Sequence, residues 1–261
     1  MIQSLKESTF AVNEVISDSW DVLKKRYIAI AGLCFLLFLT SNTSGVLAFY
    51  FNTINTYLNI FMALMFILLF FGIQLCLFKH IFQIIDHNKE VHWADSIPSF
   101  KELLYFLMGT LMVLLFSFAS YFLISLTLFP LVYLDIPLRI PVTLTMVFTT
   151  LFMLWILIRV AFFPLFVIDQ HKTPWQSIRM SFAITKGNLI KLLMLMLFFA
   201  LLNLLYLYFS YREMAFIATL LSLINSFVVI PLSSVCVALA YRKMMQDYKH
   251  TMEQKNQISL S

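Results

Sequence analysis

Six long apolar runs separated by short polar stretches set the pattern of this chain. They cover about 28–50, 58–82, 103–129, 142–168, 189–209 and 215–240. A helix rises about 1.5 Å per residue, so a hydrocarbon core of about 30 Å takes roughly 20 apolar residues. Each run meets or approaches that length, and each is continuous rather than alternating. That favours membrane-spanning helices over the strands of a barrel. The expected fold class is all-α: one polytopic transmembrane domain over 1–261 with six transmembrane helices. Several runs exceed the minimum, which permits tilt but fixes no angle.

The polar stretches predict elements of their own. Interfacial helices are expected at about 8–26, 91–102 and 174–186, each just before an odd-numbered span. Residues 16–20 read ISDSW, 93–100 read WADSIPSF and 175–182 read WQSIRMSF. Ser followed by an aromatic recurs in all three. The pattern suggests a unit of interfacial helix plus transmembrane hairpin, used three times. In the last copy Thr173 is placed to be the N-cap, with Pro174 at the first helical position and Gln176 completing a capping box. Gly187 is expected to supply the stop. Trp175, Ile178 and Phe182 fall on one face of this helix. Trp favours the headgroup level, and Arg179 and Lys186 can reach towards lipid phosphates.

Composition supports the membrane reading. Apolar residues make up 61% of the chain and charged ones 12%, about half the share usual in a soluble domain. The net charge of +5 does not call for nucleic acid, because its distribution follows topology. Of the 18 Lys and Arg, all but Arg139, Arg159 and Arg212 fall in the N-terminal segment, the second and fourth connections with the ends of the runs that border them (Lys79, Lys191), or the C-terminal tail. The positive-inside rule then places both termini in the cytoplasm. The connections near 51–57, 130–141 and 210–214 face the other side. The first 27 residues mix acids and bases, unlike a cleavable signal peptide. Cys34, Cys76 and Cys236 lie far apart inside apolar runs, which argues against a disulfide framework or a zinc site.

Residues 159–193, RVAFFPLFVIDQHKTPWQSIRMSFAITKGNLIKLL, resemble the YciC-like family of bacterial inner-membrane proteins. That family is broadly similar to the membrane domain of some glycerophosphodiester phosphodiesterases. Pro164, Asp169, Ile178, Ser181, Thr185 and Asn188 carry the resemblance, and ALAYRKM at 238–244 matches the family's basic end after the last span. The resemblance implies a six-helix inner-membrane protein with an envelope role. It brings no agreed catalytic residues.

The chain offers little chemistry to weigh. It has no zinc-protease helix, phosphate-binding Gly loop, Gly-x-Ser-x-Gly elbow or dinucleotide fingerprint. His87 and His92, with Asp86, Glu90 and Asp95 nearby, read as a solvated connection rather than a metal site. Arg159 is the unusual residue, because a charge within a span costs about 2.5–3.5 kcal/mol on insertion scales. It stands ten residues before Asp169, with Pro164 between them to free the Val160 carbonyl and kink the helix. Ser222, Asn225 and Ser226 share one face of the sixth span.

Two functional readings follow. The first is a non-enzymatic inner-membrane protein acting through membrane lipids, other envelope proteins or self-association, without cofactor or metal. Its candidate lipid or polar-path residues are Arg159, Asp169, Trp175, Arg179, Lys186 and Asn225. The second is a small transporter or channel with a polar path near Arg159 and the sixth helix.

Overall fold

Backbone groups in hydrocarbon have no water to bond, so a crossing segment must satisfy them internally. The computed structural model describes residues 10–52, 55–87, 93–130 and 139–260, which meet this demand with helices and, among themselves, no strand. Helix α1 covers Val12–Lys25, α2 Tyr27–Asn52, α3 Thr56–His87, α4 Phe100–Leu128 and α5 Arg139–Val160. After a two-residue break come α6, Phe163–Gln170, then α7, Pro174–Lys186, α8, Leu189–Tyr211, and α9, Ala215–Ile224. A π-helical turn at Asn225–Val229 joins α9 to α10, Ile230–Leu260.

Among the described residues, six segments are long and apolar enough to cross a membrane. They are Tyr27–Leu47, Thr56–Asp86, Ala94–Leu128, Arg139–Gln170, Leu189–Tyr211 and Ala215–Tyr248. The chain is therefore an all-α polytopic membrane protein with the six spans that hydropathy predicts. Its outer surface carries bare apolar side chains such as Phe118, Leu157 and Leu197, as a surface facing lipid requires. Hydroxyls within the spans bond back to their own helix: Thr40 donates to the Leu36 carbonyl, Ser120 to Phe116 and Thr150 to Met146. These three hydroxyls are thereby satisfied without water.

The fourth span is the centre of the bundle. Its window is 56% buried, against 6% for the third span. The core gathers at one end, around Tyr241 of α10, which is fully buried. Rings of Phe166, Phe82 and Phe162 stand 5.0, 5.6 and 6.2 Å from it. Helix α1 closes this end. Val15, Ser19 and Leu23 recur every fourth residue along its buried face, and it packs on α10. Lys243 of α10 ties the polar face of α1 through Asp18 at 2.7 Å and Glu14 at 3.3 Å.

The interfacial segments depart from one another. The first is helical from Val12; residues 8 and 9 lie outside the described residues. The second, expected as a helix over 91–102, is one 3-10 turn at Trp93–Ser96 followed by the start of α4, with 91 and 92 undescribed. Pro98 removes a backbone donor there, and Ser99 restarts the helix with a capping box. The Ser99 hydroxyl accepts from the Glu102 amide, while the Glu102 carboxylate accepts from the Ser99 amide at 2.7 Å. The same buried carboxylate pairs with Lys79 of α3 at 3.4 Å and with His171, beyond α6, at 3.2 Å. One acid thus anchors the entry of the third span to two neighbouring elements.

Candidate functional site

The fourth span breaks at Ala161–Phe162, just ahead of Pro164. A break strands backbone groups that a continuous helix would pair. Ser181 of α7 repairs it from outside. Its Oγ donates to the Arg159 carbonyl at 2.7 Å and accepts from the Phe162 amide at 3.2 Å. Helix α6 then ends at His171, whose backbone is left-handed (φ 49°). Arg159 and Asp169 therefore do not share one straight helix, in keeping with the kink expected at Pro164.

Helix α7 has the expected bounds, but different contacts hold it. The Thr173 side chain makes no capping bond, and Gly187 is right-handed with φ −81°. The end is closed instead by Asn188, whose Nδ2 donates to the Ile184 carbonyl at 3.2 Å. Ser177, Ser181, Ile184 and Thr185 are fully buried, and Met180 and Ala183 nearly so. The face turned into the protein is therefore the small, hydroxyl-bearing one. Trp175, by contrast, is 65% exposed. The helix is wedged among α4, α5, α6 and α8 rather than resting on the outside of the bundle.

The structure splits the sequence candidates into separate places. Arg159 donates from Nη1 to the Phe182 carbonyl at 3.3 Å, and its guanidinium lies over Trp155 at 5.4 Å. That carbonyl belongs to α7, beside the repaired break. Trp175 and Arg179 also lie on α7, and line a cavity of about 350 Å³ between α4, α5 and α7. Lys186 is exposed in the last turn of α7, where a cation complements the helix dipole. Asp169 belongs elsewhere, in the ionic cluster at the Tyr241 end. Asn225 opens the π-helical turn of the sixth span, with its Oδ1 buried and without a partner among the described residues. The Phe227 carbonyl in that turn accepts from the Tyr27 hydroxyl at 2.9 Å.

Sequence reasoning missed the ionic cluster. Arg242 of α10 donates to Asp169 at 2.7 Å and to Asp86 at the end of α3 at 2.5 Å. Its guanidinium packs over Phe82 at 4.2 Å. Tyr241 adds its hydroxyl to the other Asp169 oxygen at 2.8 Å. Three spans meet at one arginine. The available signal was an acid at the end of the fourth run and the Tyr-Arg pair closing the last.

A buried Ser–His contact also went unseen. Nδ1 of His80 lies 2.9 Å from Ser96 Oγ, and Ser96 donates to Gln83 Oε1 at 2.7 Å. With the hydroxyl proton committed to Gln83, His80 is the donor to Ser96, so this pair is not a base activating a nucleophile. Both residues are buried. Among the described residues, no group of three or more His, Cys, Asp or Glu is placed to hold a metal ion. His92 and Glu90 lie outside them.

The geometry defines a multi-pass α-helical membrane protein whose polar groups chiefly tie helices together. Compared with family models, characterised proteins and solved structures, the chain gives no match.

Proposed function

We propose that this protein is a non-enzymatic component of the bacterial envelope, in the inner membrane with both termini cytoplasmic, that acts by contact with lipid. The carrying observation is the two-sidedness of α7. Its hydroxyl face is locked into the bundle while Trp175 and Arg179 are left exposed. A protein-facing polar side and an outward Trp–Arg pair suit a helix that reads headgroups. The distribution of Lys and Arg supports the orientation. The resemblance of residues 159–193 to the YciC-like family supports the inner-membrane and envelope assignment. The transport reading has less behind it, because Arg159 is engaged by the Phe182 carbonyl and the Trp155 ring.

Native mass spectrometry of the protein purified from inner membranes tests this reading. Anionic phospholipid should be retained by the wild type and lost when Arg179 and Lys186 both become Gln. A wild type that carries no lipid, or a double variant that carries the same lipid, would sink the proposal.

A further inference from the structure

Resting on the lipid-contact reading, we infer that the cavity between α4, α5 and α7 holds one acyl chain of an anionic glycerophospholipid, with its phosphate against Arg179. The walls are Met112 and Phe116 of α4, Ile156 of α5, and Trp175, Ile178 and Phe182 of α7. The volume of about 350 Å³ falls within the range of small-molecule pockets. Walls of this kind offer water no hydrogen-bond partner, so the space does not suit water. A gap within the hydrocarbon would also forfeit dispersion contacts along its lining. The material at hand to fill it is a lipid tail. Met112 and Phe116 are 42% and 53% exposed, so the cavity opens through the surface that α4 turns to lipid.

A tail that leaves bilayer hydrocarbon for an apolar pocket gains little from hydrophobicity. Selection must therefore come from the headgroup. Among the described residues lining the cavity, Arg179 alone is charged; its aliphatic stem forms part of the apolar wall, and the residue is exposed. No acid stands among them to neutralise it. A guanidinium fork matches phosphate oxygens in a bidentate manner. Trp175, one turn earlier on the same helix, suits the headgroup level at which that phosphate would lie. The pocket thus joins a chain-sized apolar space to one phosphate-binding group. A net anionic headgroup is favoured because it brings no cation to compete with Arg179.

The test adds phosphatidylglycerol or phosphatidylcholine with identical chains to the delipidated full chain in detergent, read by native mass spectrometry. The wild type should retain one phosphatidylglycerol about tenfold more readily than phosphatidylcholine. Arg179→Gln should bring the two headgroups level. Val113 of α4 also lines the cavity, so Val113→Trp, which places an indole there, should cut retention of both about tenfold while helical content by circular dichroism stays unchanged.

If Val113→Trp does not fold, phosphatidylglycerol with a photoreactive group in its tail decides on the wild type. Crosslinks at Phe116, Ile178 or Phe182 support the site, and crosslinks spread over the other lipid-facing surfaces overturn it. Lipid kept by a folded Val113→Trp but lost from the Arg179→Gln/Lys186→Gln double variant leaves the surface reading standing and removes the chain site. Lipid kept by both overturns both readings. Equal retention of the two headgroups by the wild type overturns the role of Arg179, and a lipid-free dimer overturns the lipid as occupant.

Discussion

Asp169 and Arg242 lie 73 residues apart and meet at 2.7 Å, with Asp86 on the second arm of the same guanidinium. The arginine bonds two carboxylates from two further spans while its flat face covers Phe82. Its planar fork makes this possible, and a lysine could not reproduce it.

Arg242→Gln should therefore leave Asp169 in a pocket only 18% exposed with its cation gone. The expected cost is about 2 kcal/mol, below the roughly 3–5 kcal/mol of breaking a fully buried pair. Arg242→Lys should recover less than half of it. Thermal unfolding in detergent would measure both, and a cycle with Asp169→Asn would isolate the pair. Additive losses in that cycle would show that the contact carries no coupling.

Removing the hydroxyl that mends the fourth span should also be costly. Ser181→Ala leaves the Arg159 carbonyl and the Phe162 amide without their shared partner. We expect a loss of about 2–3 kcal/mol, from two buried backbone groups left unbonded. Ser177→Ala is the control, because among the described residues its Oγ reaches only the Lys172 carbonyl, at 3.4 Å. Its loss should stay under about 1 kcal/mol. Equal losses at the two positions would contradict this account of the break.

Two glycines should respond with opposite sign to the same substitution. A Cβ at Gly109 would stand 2.7 Å from Cε2 of Phe163. That ring is buried and stacked on Phe106 with 5.4 Å between centroids, so it has little room to retreat. Overpacking of this kind costs about 1–3 kcal/mol. It outweighs the roughly 1 kcal/mol that Ala gains over Gly in a helix. Gly109→Ala should lower the unfolding temperature. At Gly72 nothing lies within 4 Å of the added carbon, so Gly72→Ala should raise it.

Orientation is open to labelling in intact cells. With the three native cysteines replaced, Glu213→Cys in the turn between α8 and α9 should react with an impermeant maleimide. Lys186→Cys should stay silent until the cells are lysed. The reverse pattern would invert the proposed topology.

Length and hydropathy made the spans legible, because each run satisfies its own backbone and needs no knowledge of its neighbours. The ends of α7 were legible too, from Thr173–Pro174 and Gly187, although neither the Thr173 hydroxyl nor the Gly187 backbone acts as read. Asn188, recognised only through the resemblance, does the closing. Hydropathy could not show which residues of different spans touch. Arg242 read as one more basic residue of the tail, Asp169 stood out only by itself, and nothing local joined either to the other or to Asp86. The four-residue spacing of Ser177, Ser181 and Thr185 was visible, but the larger Trp175, Ile178 and Phe182 drew attention to the neighbouring face. Small hydroxyl residues allow close helix approach, so the inconspicuous stripe became the buried one.

The groups that complete the broken span reside on α7, not on the span itself. A displacement of α7 by even a fraction of an ångström would loosen the Ser181 bridge and shift the angle between α5 and α6. Since α6 carries Asp169, such a shift would reach Arg242 as well. Whatever presses on the Trp175 side of α7 therefore has a mechanical linkage to the arginine that joins the second, fourth and sixth spans, running through one hydroxyl and one carboxylate.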